Sequence, residues 1–562
     1  MQKKRVVSFG IFFLFLAVVF LVIPVTYAIN DDTAMRDIAS GAMSGTPDYH
    51  LVFVKAALGL MLQGLYTYLP GIDWYGCLWM GFILFSSVLV LWKLLSFCEQ
   101  KRKNIAVATA LFLMFFTLTM LWHLVNFQFT VVPAIVVGSA IFFYYTDESK
   151  GRKAYFAAAL IILMIWISFC IRDSVLIMAV PFGGLVILYK KDSVKKKAVM
   201  ALIVCIGLAG IMGFEQAAYS SENWQTYREY NSARAQIYDY YGVPPYEENK
   251  EFYHQIGLSE YDVVNLERYN LIFVDDLENG KMRQIAEYAE QKHLEETTLF
   301  ERVKSAVKLA LRAELNRENI ILNLTVKLLV LANLIMGFKR NRKSFWLNIG
   351  FLMCEGFICF YLGYEGRLPE RVMAALLLIE FLSALGIFLW EYGNISREEL
   401  SKYPKWVSRT AVVLLLALTV WRFAEVRSEQ EQRFASNQEY ELLKSYFGEN
   451  PDNIYFLSAT WMAGYTDNYY FWKPAKVDNG LSLGGWTTFM PVYEQGLQLY
   501  GIEDEDTAII EKENTYVIWN HISSSIEKHY EEKYDNIQWN EIDTAPVYGM
   551  EVPVYKITAE GE

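Results

Sequence analysis

Residues 51–69 read LVFVKAALGLMLQGLYTYL. The stretch is almost long enough to cross a bilayer, whose hydrocarbon core is ~30 Å thick and takes ~20 apolar residues in a helix. If it were a span, Lys101-Arg102-Lys103 and every later basic connection would face outward, against the tendency of Lys and Arg to gather on the inner side. It therefore reads as an outer-surface or re-entrant helix. His50, Lys55 and Gln63 lie on its wetter side, and Pro70-Gly71 ends it.

The runs on either side do reach spanning length. Lys3, Lys4 and Arg5 precede an apolar run from Val6 to Ala28. That run is longer than the apolar part of a cleaved signal peptide, so it stays as the first span with the N-terminus inside. Later spans read about 73–98, 105–122, 129–145, 155–171, 174–189, 198–216, 319–338, 345–363, 373–390 and 410–423. The inner connections hold Lys101-Arg102-Lys103, Lys150 with Arg152 and Lys153, Lys190-Lys191 with Lys195-Lys196-Lys197, Lys339-Arg340 with Arg342-Lys343, and Arg397 with Lys402, Lys405 and Arg409. Every second connection is basic, which puts the C-terminus outside. The predicted fold is an α-helical polytopic membrane protein of about eleven spans over residues 1–423, followed by a small extracytoplasmic α/β domain over 424–562.

Hydrophobic residues make up 54% of the 562, and their gathering into runs excludes a cytosolic enzyme, a secreted enzyme and a disordered scaffold. The net charge of −11 argues against a nucleic-acid partner. All six cysteines lie in or at the ends of apolar runs, so no disulfide framework is expected. The outer pieces are a first loop of about 30–72, a central loop of about 217–318 and the tail. Residues 217–317 carry 18 acidic and 12 basic residues, and the tail carries 25 and 9. In the tail, residues 429–447 read as helix, and 454–457 and 516–519 read as buried strands.

Soluble-enzyme motifs are weak. There is no phosphate loop and no His-Glu-x-x-His. Gly480-Leu481-Ser482-Leu483-Gly484 matches the hydrolase elbow pattern, but its flanks read as a glycine-rich loop. Asn323-Leu324-Thr325 and Asn394-Ile395-Ser396 match glycosylation acceptors but fall in a span and on the inner side.

The suggestive stretch is Asn30-Asp31-Asp32-Thr33-Ala34-Met35-Arg36-Asp37, which emerges from the first span. A carboxylate beside hydrocarbon gains proton affinity and becomes a better base, although Asp31 or Asp32 is also suited to capping the next helix. Arg36, Asp48, His50 and Lys55 are further candidates for substrate contact in the same loop. Cations stand in two short outer turns: Arg172 beside Asp173, and Arg367 and Arg371 within Gly366-Arg367-Leu368-Pro369-Glu370-Arg371. An anionic phosphate at the membrane surface would account for them, as would snorkelling or pairing with neighbouring carboxylates. Lys327, Glu355 and Glu380 lie inside predicted spans at similar depth, roughly 12 Å from the outer end for Lys327. Charges in lipid must pair, so Lys327 is expected to meet Glu355 or Glu380.

The layout resembles the GT-C superfamily of integral-membrane glycosyltransferases. Asn30-Asp31-Asp32 through Ser44-Gly45-Thr46-Pro47-Asp48 carries the likeness, with support from Arg367-Leu368-Pro369-Glu370-Arg371. The resemblance implies a polyprenyl-phosphate sugar donor, an extracytoplasmic cell-envelope acceptor, and inversion at the sugar. It also implies an acidic base in the first outer loop, which maps onto Asp32 or Asp31. Arg367, Arg371 and Arg172 would bind the donor phosphate. No cofactor or metal is implied, although two adjacent aspartates are also able to recruit a divalent cation. Membrane lipids would surround the spans. A transporter or flippase for a lipid-linked glycan and a non-catalytic envelope scaffold are the competing readings.

Overall fold

The computed structural model describes residues 2–393, 405–520 and 523–559. The chain is mostly helical with a small C-terminal sheet. The first apolar run forms α1 (Gln2–Val22). It stops short of Pro24, which has no N–H to donate and disfavours helix in the residue before it. Thr26–Tyr27 then forms β1, which leads directly into α2 (Asn30–Ser40).

Residues 51–69 yield only α3 (Ala56–Tyr68), a helix of 13 residues and so roughly 20 Å long, too short to cross. It folds back on the preceding turn: Gln63 donates to the Pro47 carbonyl at 2.9 Å. A Cβ on Gly59 would lie 2.1 Å from the Tyr49 carbonyl oxygen.

The bundle continues with α4 (Trp74–Gln100), α5 (Ile105–Thr119), the short α6 (Leu121–Val125), β2 (Asn126–Phe127), α7 (Val131–Thr146), α8 (Arg152–Ile171), α9 (Asp173–Tyr189) and α10 (Val194–Ala218). After the central segment it resumes as α16 (Ile320–Arg340), α17 (Arg342–Tyr364) and α18 (Glu370–Gly393). Among the described residues, seven helices are long and apolar enough to cross a membrane: Lys3–Val22, Trp74–Gln100, Arg152–Ile171, Val194–Ala218, Ile320–Arg340, Arg342–Tyr364 and Glu370–Leu389. Three more of the expected spans are apolar but shorter, as α5, α7 and α9. Every residue of α7 from Val131 to Tyr145 is buried, as an all-apolar helix at the centre of a bundle must be.

The central segment folds as α11 (Glu222–Gln236), α12 (Lys250–Gln255), α13 (Glu260–Glu267), α14 (Met282–Glu296) and α15 (Leu299–Glu314). A capping box between Thr298 and Glu301 starts α15. The expected boundary at 423/424 is not a break, because α19 (Lys405–Glu449) is one helix of 45 residues running through it. The stretch expected as the eleventh span, 410–423, falls in the first part of this helix, and the tail follows its end. The connection with Arg397 and Lys402, and the Asn394 acceptor pattern, lie outside the described residues.

The tail sheet combines β3 (Ile454–Ser458), β4 (Gly480–Leu483), β5 (Thr515–Ile518), β6 (Gln538–Val547) and β7 (Met550–Thr558) in the order β4-β3-β5-β7-β6. The first three strands are parallel, and β7 runs antiparallel to β5 and β6. Ser482 of the elbow-like motif lies within β4, not in a loop, and its carbonyl accepts from Tyr493.

The tail is stitched to the start of the chain. β1 pairs in parallel with β2, and Asn468 bridges Thr26 from the other side. Tyr27 N–H donates to the Asp467 carbonyl at 3.0 Å, and Tyr469 N–H donates to that of Val25 at 2.8 Å. These bonds fix the point from which α2 departs.

Candidate functional site

Ile29 is the extended residue before α2, so Asp31 and Asp32 fall in the first helical turn and neither is the cap. Carboxylates there offset the positive end of the helix dipole. Neighbouring helical residues point about 100° apart, and this separates the two aspartates. Asn30, Asp31, Ala34 and Asp37 face a cavity of about 690 Å³, while Asp32, Met35, Arg36 and Ala39 are buried.

Asp32 is fully enclosed. Its Oδ1 accepts from Tyr75 OH at 2.8 Å, Trp79 Nε1 at 3.2 Å and Phe129 N–H at 3.1 Å. Burial pushes its acid up to about 7, a value suited to a base. Geometry comes first, however, and Asp32 does not reach the cavity. It is an anchor that ties α2 to α4 and to the segment after β2. The base expected at Asp32 or Asp31 thus has only Asp31 on the cavity side, because the helix phase turns Asp32 inward. The same divergence leaves the two carboxylates facing different surroundings, Asp31 the cavity and Asp32 the interior.

Asp31 lies in the cavity with Arg172, Arg367 and Arg371. Its Oδ2 is 3.8 Å from Arg371 Nη1. Burial raises its acid above the usual carboxylate range, and Arg371 and Arg172 pull it part of the way back. Arg172 sits over the Phe129 and Phe53 rings, at 4.9 and 5.5 Å from their centroids. Arg367 pairs with Asp239 of the π-helical turn that follows α11, and Arg371 is in the first turn of α18 after Pro369. A second cavity of about 480 Å³ shares Arg367 and Arg371 and is also lined by His123, Glu318, Glu370 and Arg433. Burial and the neighbouring Glu370 push Glu318 up to about 7.

The remaining first-loop candidates serve the fold. Arg36 is buried between Asp37 at 2.6 Å and Asp467 at 2.5 Å. Asp48 accepts from His50 Nδ1 at 2.7 Å, and the His50 ring stacks on Trp224 with centroids 4.5 Å apart. Lys55 pairs with Asp173 at 2.8 Å. None of Arg36, Asp48, His50 and Lys55 lines the Asp31 cavity, so their reading as substrate contacts is not carried by their positions. Lys327 hydrogen-bonds both oxygens of Glu355 and lies 3.7 Å from Glu380, the meeting that charge pairing in lipid demands. Glu314, at the end of α15, lies 3.9 Å from the same lysine.

No family model, curated protein or solved structure matches the chain. The functional reading thus rests on the cavity itself. Its distant contributors were not visible in the sequence. Arg234 and Tyr269 of the central segment bond to each other beside Asp31. Asp478 of the tail lines the same cavity, accepts from Gly480 N–H at 3.1 Å, and is pushed up to about 6 by burial. No spacing signal links these residues to α2, since folding alone brings them together. Among the described residues, no group of three or more His, Cys, Asp or Glu side chains is placed to hold a metal ion.

Proposed function

We propose that the protein is a membrane glycosyltransferase of GT-C type. It moves a sugar from a polyprenyl-phosphate donor to a cell-envelope acceptor on the extracytoplasmic side, with eleven crossings and the N-terminus inside. The observation that carries the proposal is the convergence of the Asp31 carboxylate with the guanidinium groups of Arg172, Arg367 and Arg371 in one cavity. In the reaction, Asp31 takes the proton of the acceptor hydroxyl as its oxygen bonds to the sugar's anomeric carbon. The bond from that carbon to the phosphate oxygen breaks. The departing phosphate gains negative charge, and the arginines stabilise it.

A positioned base contributes roughly 10²–10⁴-fold to such a step. The alternative transporter reading rests on Lys327, Glu355 and Glu380, but that cluster is drawn together around one lysine and does not line the outer cavity.

The test is sugar transfer in membranes holding Asp31→Asn, assayed with several polyprenyl-phosphate sugars. Loss of transfer with protein abundance unchanged supports the assignment. Full activity of Asp31→Asn removes it.

A further inference from the structure

A third cavity, remote from Asp31, lies where α1 begins and α4 turns into α5. It measures about 890 Å³, within the ~300–1,000 Å³ of ordinary ligand sites. Lys3 and Lys4 come from the first turn of α1, and Arg102 and Lys103 from the α4–α5 turn. Arg102 takes a left-handed φ of 51° there, which lets the turn close tightly.

Beyond this cationic rim the walls are apolar. Val7 and Ile11 of α1 face Ala106, Ala110 and Leu113 of α5. The two helices are joined alongside by Thr109 Oγ1 donating to Ser8 Oγ at 2.9 Å. The first turn of α5, capped by Asn104, directs the positive end of its dipole toward the same space. One carboxylate is present. Glu99 pairs through Oε2 with Arg5, while its Oε1 is buried with no hydrogen-bond partner.

A ligand for this site must be anionic at the rim, apolar along the helices, and able to donate a hydrogen bond to Glu99. Basic pockets between transmembrane helices suit anionic lipid headgroups. We infer that the cleft between α1 and α5 binds an anionic phospholipid with a hydroxylated headgroup. Its phosphate lies against Lys3, Lys4, Arg102 and Lys103, a headgroup hydroxyl donates to Glu99, and an acyl chain runs along Ile11 and Leu113.

The full-length protein in detergent would be offered phosphatidylglycerol, phosphatidylcholine of the same chains, and inorganic phosphate, with bound lipid read by native mass spectrometry. Phosphatidylglycerol should be retained about tenfold or more over phosphatidylcholine, and millimolar phosphate should not displace it. The double variant Ala106→Phe/Ala110→Phe fills the apolar groove without removing a charge, and it should lose the lipid. Arg102→Gln/Lys103→Gln should weaken retention, and Glu99→Gln should narrow the preference for the hydroxylated headgroup. Equal retention of the two lipids, displacement by phosphate, or wild-type retention by the groove-filling variant would overturn the inference. None of these readouts depends on sugar transfer.

Discussion

At the scale of single residues, the two adjacent aspartates should behave as different kinds of group. Asp31→Asn keeps the shape of a cavity-facing side chain and removes only the base, so transfer should fall by roughly 10²–10⁴-fold with the melting temperature unchanged. Asp32→Ala instead strands three buried donors, on Tyr75, Trp79 and Phe129, each costing about 1–3 kcal/mol when unpaired. Its first effect should be a lower melting temperature in detergent. If Asp31→Asn melts early and Asp32→Ala does not, the roles are reversed. The pH profile gives an independent check. Asp31 accepts a proton only when ionised, so kcat/KM should fall as pH drops through its pKa, which burial holds above the usual carboxylate range. Arg371 lowers that pKa, so Arg371→Gln raises it, and the acid limb of the profile should move to higher pH. An unmoved limb would show that it belongs to another group, with Asp478, whose acid is set by burial, Lys444, Asp37 and Asp467, the first candidate.

At the scale of elements, glycines report which helices touch. A Cβ on Gly76 of α4 would lie 2.3 Å from the Tyr469 ring and 2.7 Å from Tyr27 Oη. Helix propensity favours Ala over Gly by ~1 kcal/mol, but contacts this short force β1 and the tail segment apart. Gly76→Ala should therefore destabilise by about 1–3 kcal/mol. Gly64→Ala in α3, where a Cβ meets nothing within 4 Å, should stabilise by ~0.5–1 kcal/mol. Thermal melts of the two variants in the same detergent should move in opposite directions. Elements were also the most legible level in the sequence. The run at 73–98 became Trp74–Gln100 and the run at 319–338 became Ile320–Arg340, because continuous apolarity has few other solutions in lipid. The stretch 51–69 gave a helix shorter than its apolar length, α3. The β6–β7 hairpin was missed, although its two-residue turn, Tyr548 at φ 50° and Gly549 at φ 70°, is the kind that tight hairpins favour. The site was half legible. The acid stretch and the arginine turns stood out because charge next to hydrocarbon needs a cause. The division of labour between Asp31 and Asp32 depended on a helical phase that a loop reading discards.

At the scale of the whole molecule, α2 and the tail form one mechanical unit. Arg36 lies on the buried side of α2, and its guanidinium meets Asp467 of the tail, which Lys444 also holds at 2.7 Å. Asp467 is held well below the usual carboxylate range, burial opposing and Arg36 and Lys444 prevailing. A carboxylate depressed in the folded state contributes its full stability above its unfolded pKa of ~3.9 and loses it as pH falls below that value. The contribution of Asp467 to tail docking should therefore weaken in acid below about pH 4 and stay constant from there to neutrality. Asp467→Asn removes the charge at every pH and leaves Arg36 with Asp37 alone. Breaking one side of a buried pair costs roughly 3–5 kcal/mol, and the strain falls on the ribbon that sets where α2 begins. Deuterium exchange in Asp467→Asn should rise in both 25–40 and 465–471, and transfer should fall although Asp467 does not line the Asp31 cavity. If exchange rises only in the tail while transfer stays at the wild-type rate, the tail does not hold α2 in place. The geometry of Asp31 would then be set within the membrane bundle alone, through Asp32 and its bonds to Tyr75, Trp79 and Phe129.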